Sequence, residues 1–227
     1  MIERLLPAGP HHRVRVRCSE RADGDFAVGR PGVELDARRR AFAPGRWTWF
    51  QQVHGAVVVR VDEPGRGAGE VADAGVTTIV GATLAVHTAD CVPVVPSAGG
   101  AVAVAHAGWR GVVEGVIPAT VAALRDMATG DVHAFVGPHI RAGHYAFGAR
   151  ELDEVAAVAG DTVRSSTIEG QPALDMTAAV RSVLGRAGVD AVSVVDDDTA
   201  DPRWFSHRVR ADRERQVTVA WLETDDR

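Results

Sequence analysis

Three side chains in this sequence combine metal-ligating chemistry with positions at the ends of strand-like runs: His54, Cys91 and His106. Two imidazoles and one thiolate are borderline-soft donors that suit zinc, and three protein ligands with a fourth position left to water describe a catalytic zinc site rather than a structural one. Water on such an ion ionises near neutrality and supplies hydroxide for attack on an amide or an aminopurine. The same donors also fit a mononuclear copper centre, which adds a weak axial methionine. The methionines here are Met1, Met127 and Met176, none close in sequence to the three donors, and nine histidines without a His-x-His pair are too few for a trinuclear copper cluster. A third chemistry uses Cys91 as a nucleophile activated by His106. It competes with zinc, because a metal-bound thiolate is a poor free attacker. Each histidine also has a plainer reading as a hydrogen-bonded residue at a strand mouth. The His-x-Glu and Cys-x-x-Cys signature of nucleic-acid deaminases is absent.

The elements that must position these groups can be read from periodicity. In the run to His106, Val102, Val104 and His106 share one parity and Ala101, Ala103 and Ala105 the other, so a strand turns His106 to the valine face, inward or into a cleft. Gly108 and Gly111 then allow a sharp turn into a helical pattern of Val112, Val113, Val116, Ile117, Val121 and Leu124, which Pro118 is expected to kink or restart. His54 stands at the mouth of the β-prone residues 56–61. Asp73 opens an apolar run, where a carboxylate caps, bonds a neighbouring backbone or orients a site residue. Residues 13–18 alternate arginine with Val14, Val16 and Cys18, a half-buried strand with Cys18 as a small core residue. Further strands are expected at 47–53, 132–136, 191–195 and 216–221. Helices are expected at 35–43, at 151–158 and from the N-cap Asp175 to Gly188. Arg38, Arg39 and Arg40 read as a solvated helix face. Residues 64–69 lack the lysine and hydroxyl of a phosphate-binding loop and read as a flexible connection. His139 and His144 add imidazoles at an undiagnostic spacing. Residues 204–208 read equally well as an aromatic-packed surface loop or as substrate lining.

Composition sets the frame for these motifs. At 227 residues, 46% hydrophobic and 24% charged, the chain fits one domain with a sizeable core, taken as 1–227. A formal net charge of -5 gives no global attraction for nucleic acid or an anionic membrane, and neither is expected as a partner. No apolar run reaches the roughly 18 residues of a membrane span, and residues 1–12 carry no secretion-signal pattern, which gives a cytoplasmic expectation. Two cysteines, Cys18 and Cys91, do not make a disulfide scaffold.

Several motifs taken together carry a resemblance: Gln52-Val53-His54-Gly55, Ala72-Asp73-Ala74, Thr88-Ala89-Asp90-Cys91-Val92-Pro93, His106-Ala107-Gly108-Trp109-Arg110-Gly111, Val136-Gly137-Pro138 and Phe205-Ser206-His207-Arg208. Over residues 13–222 the chain resembles the YfiH/LACC1 family, whose members have been called polyphenol oxidase or laccase domain, purine nucleoside phosphorylase and peptidoglycan editing factor. The resemblance implies an α+β (mixed α/β) fold, a single domain with mixed β-sheets flanked by helices. It also implies zinc held by His54, Cys91 and His106, the set reached from donor chemistry. The implied activities are phosphorolysis of adenosine, inosine, guanosine and methylthioadenosine, and deamination of adenosine, so the expected partners are a purine nucleoside and phosphate. Arg21 stands where the family has the arginine of a Ser/Thr-Thr-Arg motif and is expected to contact an anion. Asp73 is expected to orient a ligand or act in acid–base chemistry beside Cys91 and His106. The chain departs from the family pattern in residues 22–29, at His139, where many members have cysteine, and at Glu214, where glycine is frequent. Three other functions remain open at this level: a zinc-assisted amide hydrolase acting on peptidoglycan precursors, a copper-dependent polyphenol oxidase, and a non-catalytic binding protein whose zinc is closed off by His139, His87 or another side chain.

Overall fold

The computed structural model describes residues 1–29 and 33–225. The chain runs through β1 (Ile2–Pro7), β2 (His12–Cys18), α1 (Val33–Phe42), β3 (Trp47–Gln51), β4 (Val58–Val61), β5 (Glu70–Val71), β6 (Ala74–Thr77), β7 (Thr83–Thr88), β8 (Val92–Ala98) and β9 (Ala101–Ala107). There follow α2 (Trp109–Glu114), α3 (Val116–Arg125), β10 (His133–Val136), α4 (Ala149–Ala159), β11 (Arg164–Ser166), β12 (Pro172–Leu174), α5 (Met176–Arg186), β13 (Ala191–Val194), α6 (His207–Arg210) and β14 (Gln216–Thr224). Two six-stranded sheets carry the fold, one ordered β1-β2-β14-β7-β3-β5 and the other β13-β10-β8-β9-β6-β4, with β11-β12 a small separate pair. Both large sheets are mixed: β7 pairs parallel with β3 and antiparallel with β14, and β6 pairs parallel with β4 and antiparallel with β9. The α+β expectation of a single domain with mixed sheets flanked by helices is met.

Strand parity explains how the layers stack. Leu84 and Val86 of β7, Ala220 and Leu222 of β14, and Val14 and Val16 of β2 face Val102 and Val104 of β9, Val95 of β8 and Phe135 of β10 in a core between the two sheets. The opposite face of β9, with Ala101, Ala103, Ala105 and Ala107, packs on α3, α4 and α5 through Ile117, Val121, Leu124, Val155, Val180 and Leu184. Alanine on this face lets the helices approach closely. The outer face of the first sheet, with Ala85, Val217, Val219 and Trp221, is covered by Phe26, Leu35, Phe42 and Trp47. Every residue of β7, β8 and β9 is buried, so alternation marks which core a side chain enters rather than whether it meets water.

Most of the expected elements are present, with informative differences. The helix after Gly108 breaks at Gly115, which takes a left-handed φ of 87° and caps both α2 and α3, rather than at Pro118. Pro118 falls in the first turn of α3, where a missing N–H costs nothing. The Arg38–Arg40 face is not uniformly solvated. Arg39 lies over the indoles of Trp47 and Trp49, at 5.9 and 5.1 Å from the ring centroids, with Nε and Nη2 buried and unpartnered among the described residues. Cys18 is a buried free thiol, and burial pushes its pKa up to about 12. Strand β1 has no strong alternation of its own and forms by pairing along β2 from Ile2↔Cys18 to Pro7↔Arg13. Among the described residues no helix is long and apolar enough to cross a membrane.

Candidate metal centre

Asp73 is the organising residue of the site. It lies between β5 and β6, where the chain passes from the first sheet to the second, and it is completely buried. Its carboxylate accepts from three consecutive backbone N–H groups, Val53 at 3.1 Å, His54 at 2.9 Å and Gly55 at 2.8 Å. Its Oδ1 also accepts from Nδ1 of His106 at 2.8 Å. Burial works to raise the Asp73 pKa, but the bonds from His106, Gly55 and Val53 outweigh it and hold the carboxyl below its ordinary value. An ionised carboxylate only accepts, so a proton of His106 sits on Nδ1 and Nε2 is the nitrogen that would face a metal. One side chain thus fixes both the turn that carries His54 and the tautomer of His106.

The structure brings the three donors together. His54, Cys91 and His106 each offer a ligand atom, all within 4.8 Å of one another, and His54 Nε2 lies 3.7 Å from Cys91 Sγ. On a tetrahedral zinc ion, with bonds of roughly 2.0 Å to nitrogen and 2.3 Å to sulfur, a nitrogen and a sulfur stand about 3.6 Å apart. The residues therefore fit a metal of this kind. Withdrawal from water raises the Cys91 pKa, but the adjacent His106 and His54 more than reverse this and favour the thiolate. Burial works to lower the His106 pKa, but Cys91 and Asp73 more than reverse this and raise it to about 9. The thiolate is the form that binds metal.

The local backbone shows how tightly this arrangement is specified. His54 has φ 61° and Asp90, immediately before Cys91, has φ 94°, two of three described non-glycine residues with positive φ. Such conformations persist where surrounding bonds hold them. His54 is held by Asp73. Asp90 is held through Oδ1, which accepts from Thr199 Oγ1 at 2.8 Å, and Oδ2, which accepts from Arg208 N at 2.6 Å. Gly108, which opens α2, leaves the space the rings occupy: a Cβ there would stand 2.4 Å from His54 Cδ2 and 3.1 Å from Cys91 Sγ.

The triad opens into a cavity of about 580 Å³, bounded by segment 25–29, the ends of β3 and β7, His207 and segment 213–215. Its wall includes Val28, Phe50 and His87 together with His207, Arg213 and Arg215. Among the described residues no fourth histidine, cysteine or carboxylate joins the three donors, and no second cluster of this kind exists for a multinuclear centre. His139 is spent elsewhere, bonded to Gly137 O and Thr177 Oγ1, and His144 pairs with Asp198 at 2.8 Å. Arg21 is not brought to the cavity. Its guanidinium pairs with Asp212 at 2.6 Å, donates to the carbonyls of Pro202 and Trp204, and lies over Phe205, bracing the segment that carries His207. Sequence reading singled out neither Arg213 nor the cavity-forming role of segment 25–29. Charged loop residues carry no periodic signal, and the loop acquires its wall only through folding against Arg215, whose N–H donates to Asp25 Oδ1 at 3.0 Å.

Residues 29–223 match the family model described as multi-copper polyphenol oxidoreductase laccase. A purine nucleoside phosphorylase of Xylella fastidiosa is 40% identical over 190 residues, covering 77% of this chain and 71% of its own length. The Escherichia coli purine nucleoside phosphorylase YfiH is 33% identical over 195 residues, covering 82% of this chain and 79% of its own. A crystal structure of a Neisseria meningitidis protein of the DUF152 type superposes with a TM-score of 0.80 at 26% identity, over 97% of this chain and 99% of that one.

Proposed function

The chain belongs to the multi-copper polyphenol oxidoreductase laccase family, the YfiH/LACC1 group, and from that premise we propose that it is a zinc-dependent purine nucleoside phosphorylase that also deaminates adenosine. The observation that supports this most is the pairing, in one cavity, of the His54–Cys91–His106 donors with the cations Arg213 and Arg215. Phosphorolysis needs both features. A phosphate oxygen bonds to C1′ of the ribose as the bond to the base nitrogen breaks, so an anion must be held close to a sugar that becomes cationic.

His54, Cys91 and His106 would hold the zinc, which when bound supplies a Lewis acid beside the reacting centre. Asp73 acts as a positioning residue: fixed by three N–H donors and His106, it keeps the imidazole tautomer constant. Arg213, and Arg215 through the nitrogens that do not donate to the Asp212 and Glu214 carbonyls, offer charge-assisted donors to phosphate. Val28 and Phe50 give the wall an apolar part against which a base or sugar can pack. For deamination the same cavity admits water in place of phosphate, and ammonia leaves the purine. Both cysteines are free thiols, which fits a cytoplasmic enzyme.

The test is metal content of the purified protein and of Cys91→Ala, with phosphate-dependent release of base from inosine and adenosine. Near-stoichiometric zinc that is lost in the variant, together with base release that requires phosphate, is expected. Zinc without base release would sink the phosphorylase reading, and an unchanged metal content in Cys91→Ala would sink the triad.

A further inference from the structure

His87, next to last in β7 of the first sheet, has an unusual combination of properties. It is only 6% exposed, it belongs to the cavity wall, and neither Nδ1 nor Nε2 has a hydrogen-bond partner among the described residues. Its backbone is fully used, with N–H donating to Gln52 Oε1 and the carbonyl accepting from Gln52 Nε2, so the side chain is held in place and left free to act. Parity puts it on the outer face of the sheet with Ala85, opposite Val217 of β14. Its neighbour Thr88, also in the wall, has a buried Oγ1 with no partner. Two orphaned polar groups at the cavity end of one strand are costly, since each forgoes its bonds to water without replacement. A ligand with complementary polar atoms would repay both.

We propose that His87 reads the hydrogen-bonding edge of the purine base, accepting 6-oxo and 6-amino purines alike by a change of imidazole tautomer. The inference rests on the nucleoside reading above and deepens it. A neutral imidazole carries one N–H donor and one acceptor nitrogen, and which nitrogen does which is free to change where no partner dictates it. Toward a 6-oxo purine the ring donates, and toward a 6-amino purine it accepts. Burial, and then the nearby charges of Arg39, His106 and Arg215, push the His87 pKa down to about 3, so both roles are open at neutral pH. A protonated ring would only donate and could not accept from a 6-amino group. The metal-binding donors and His87 line one cavity, so a nucleoside can present its base to His87 and its sugar to the triad.

The test uses His87→Leu and His87→Gln in the metal-bearing protein. Three readouts are needed: kcat/KM for phosphorolysis of inosine and of adenosine, calorimetric binding of hypoxanthine and adenine, and thermal stability with metal content. His87→Leu is expected to keep its metal and to match or exceed wild-type stability, because an unpaired polar group has left the interior. It is expected to lose about tenfold or more in binding of both bases and in kcat/KM for both nucleosides, the scale of one lost buried hydrogen bond. His87→Gln, whose amide both donates and accepts, is expected to recover part of that loss. Wild-type base binding in His87→Leu would overturn the assignment, as would loss of metal or folding in both variants, which would make His87 structural. If the wild type itself releases no base in phosphate, the nucleoside reading fails first and this inference with it. An active wild type with an unaffected His87→Leu overturns this inference alone.

Discussion

Alanine at Gly108 should weaken metal binding by the His54, Cys91 and His106 donors while leaving the fold standing. Gly108 has φ -68° and ψ 161°, an extended conformation open to any residue, so the substitution adds no backbone strain. The added Cβ would lie 2.4 Å from Cδ2 and 3.0 Å from Nε2 of His54, and 3.1 Å from Sγ of Cys91. Carbon–carbon contacts relax at about 3.5–4.0 Å, so the His54 ring must retreat by roughly 1 Å. Its backbone cannot follow, since the His54 N–H is bonded to Asp73 at 2.9 Å and its φ is held at 61°. Functional constellations tolerate displacements of about 0.5 Å, and disturbing the support of a metal ligand lowers affinity about 10- to 100-fold. A competition titration against a chromogenic chelator should therefore give at least that loss for Gly108→Ala. The metal-free variant should unfold within a few degrees of metal-free wild type, corresponding to about 1 kcal/mol in a chain of this size. Wild-type zinc affinity in Gly108→Ala would refute the reasoning, because the ring would then have room that the structure denies it.

Two further outcomes follow from the partners of the site and of the loop behind it. Asp73→Asn keeps the shape but turns an amide NH2 toward groups that are all donors, so about 1–3 kcal/mol of stability and about 10- to 100-fold in metal affinity should be lost; unchanged chelator competition would contradict this. Burial, with Arg141 nearby, holds the His139 pKa down to about 4, below an unfolded value near 6.5. The folded chain then binds fewer protons than the unfolded chain in that window. The stability this group contributes is complete above about pH 6.5 and is lost as the pH falls toward 4, by up to roughly 3 kcal/mol. Urea midpoints for His139→Gln should fall less steeply than wild type between those values, and parallel slopes would exclude the assignment.

The sequence was most legible where periodicity and chemistry coincide. The valine parity of β9 placed His106 toward the inter-sheet core, where it lies beside Val102 and Val104, and the alternation of β2 placed Cys18 inside. The donor chemistry of His54, Cys91 and His106 left a structural reading open for each histidine, and it was the motifs around them that tied the three to one family. Arg21 was harder, because a motif position gives a residue's neighbourhood and not the direction of its side chain, which here is taken by Asp212 and two carbonyls. Arg39 reversed expectation because its aromatic partners, Trp47 and Trp49, sit on a strand that becomes its neighbour only after folding. The strain at His54 and Asp90 left no local sign, since neither residue is glycine and the bonds that hold each come from distant segments.

The position of the site follows from topology. The chain passes from the first sheet to the second between β3 and β4, between β5 and β6, and between β7 and β8. Those three passages carry His54, Asp73 and Cys91 in turn, and β9 returns His106 to the same end. A residue in a passage between sheets belongs to neither hydrogen-bond ladder, so its backbone groups are free to be claimed by a carboxylate such as Asp73, and its conformation can depart from the extended range. Within a strand the ladder would forbid both. Groups that must converge from different segments are thus most cheaply placed where several passages bunch together at one edge of the core. Asp73 then couples the passages mechanically: displacing it releases the 53–55 turn and the His106 ring in a single step. Cys91 is secured separately, through Asp90 to Thr199 Oγ1 and to the backbone N–H of Arg208, so the segment that carries His207 on one side of the cavity is tied to the donor turn on the other.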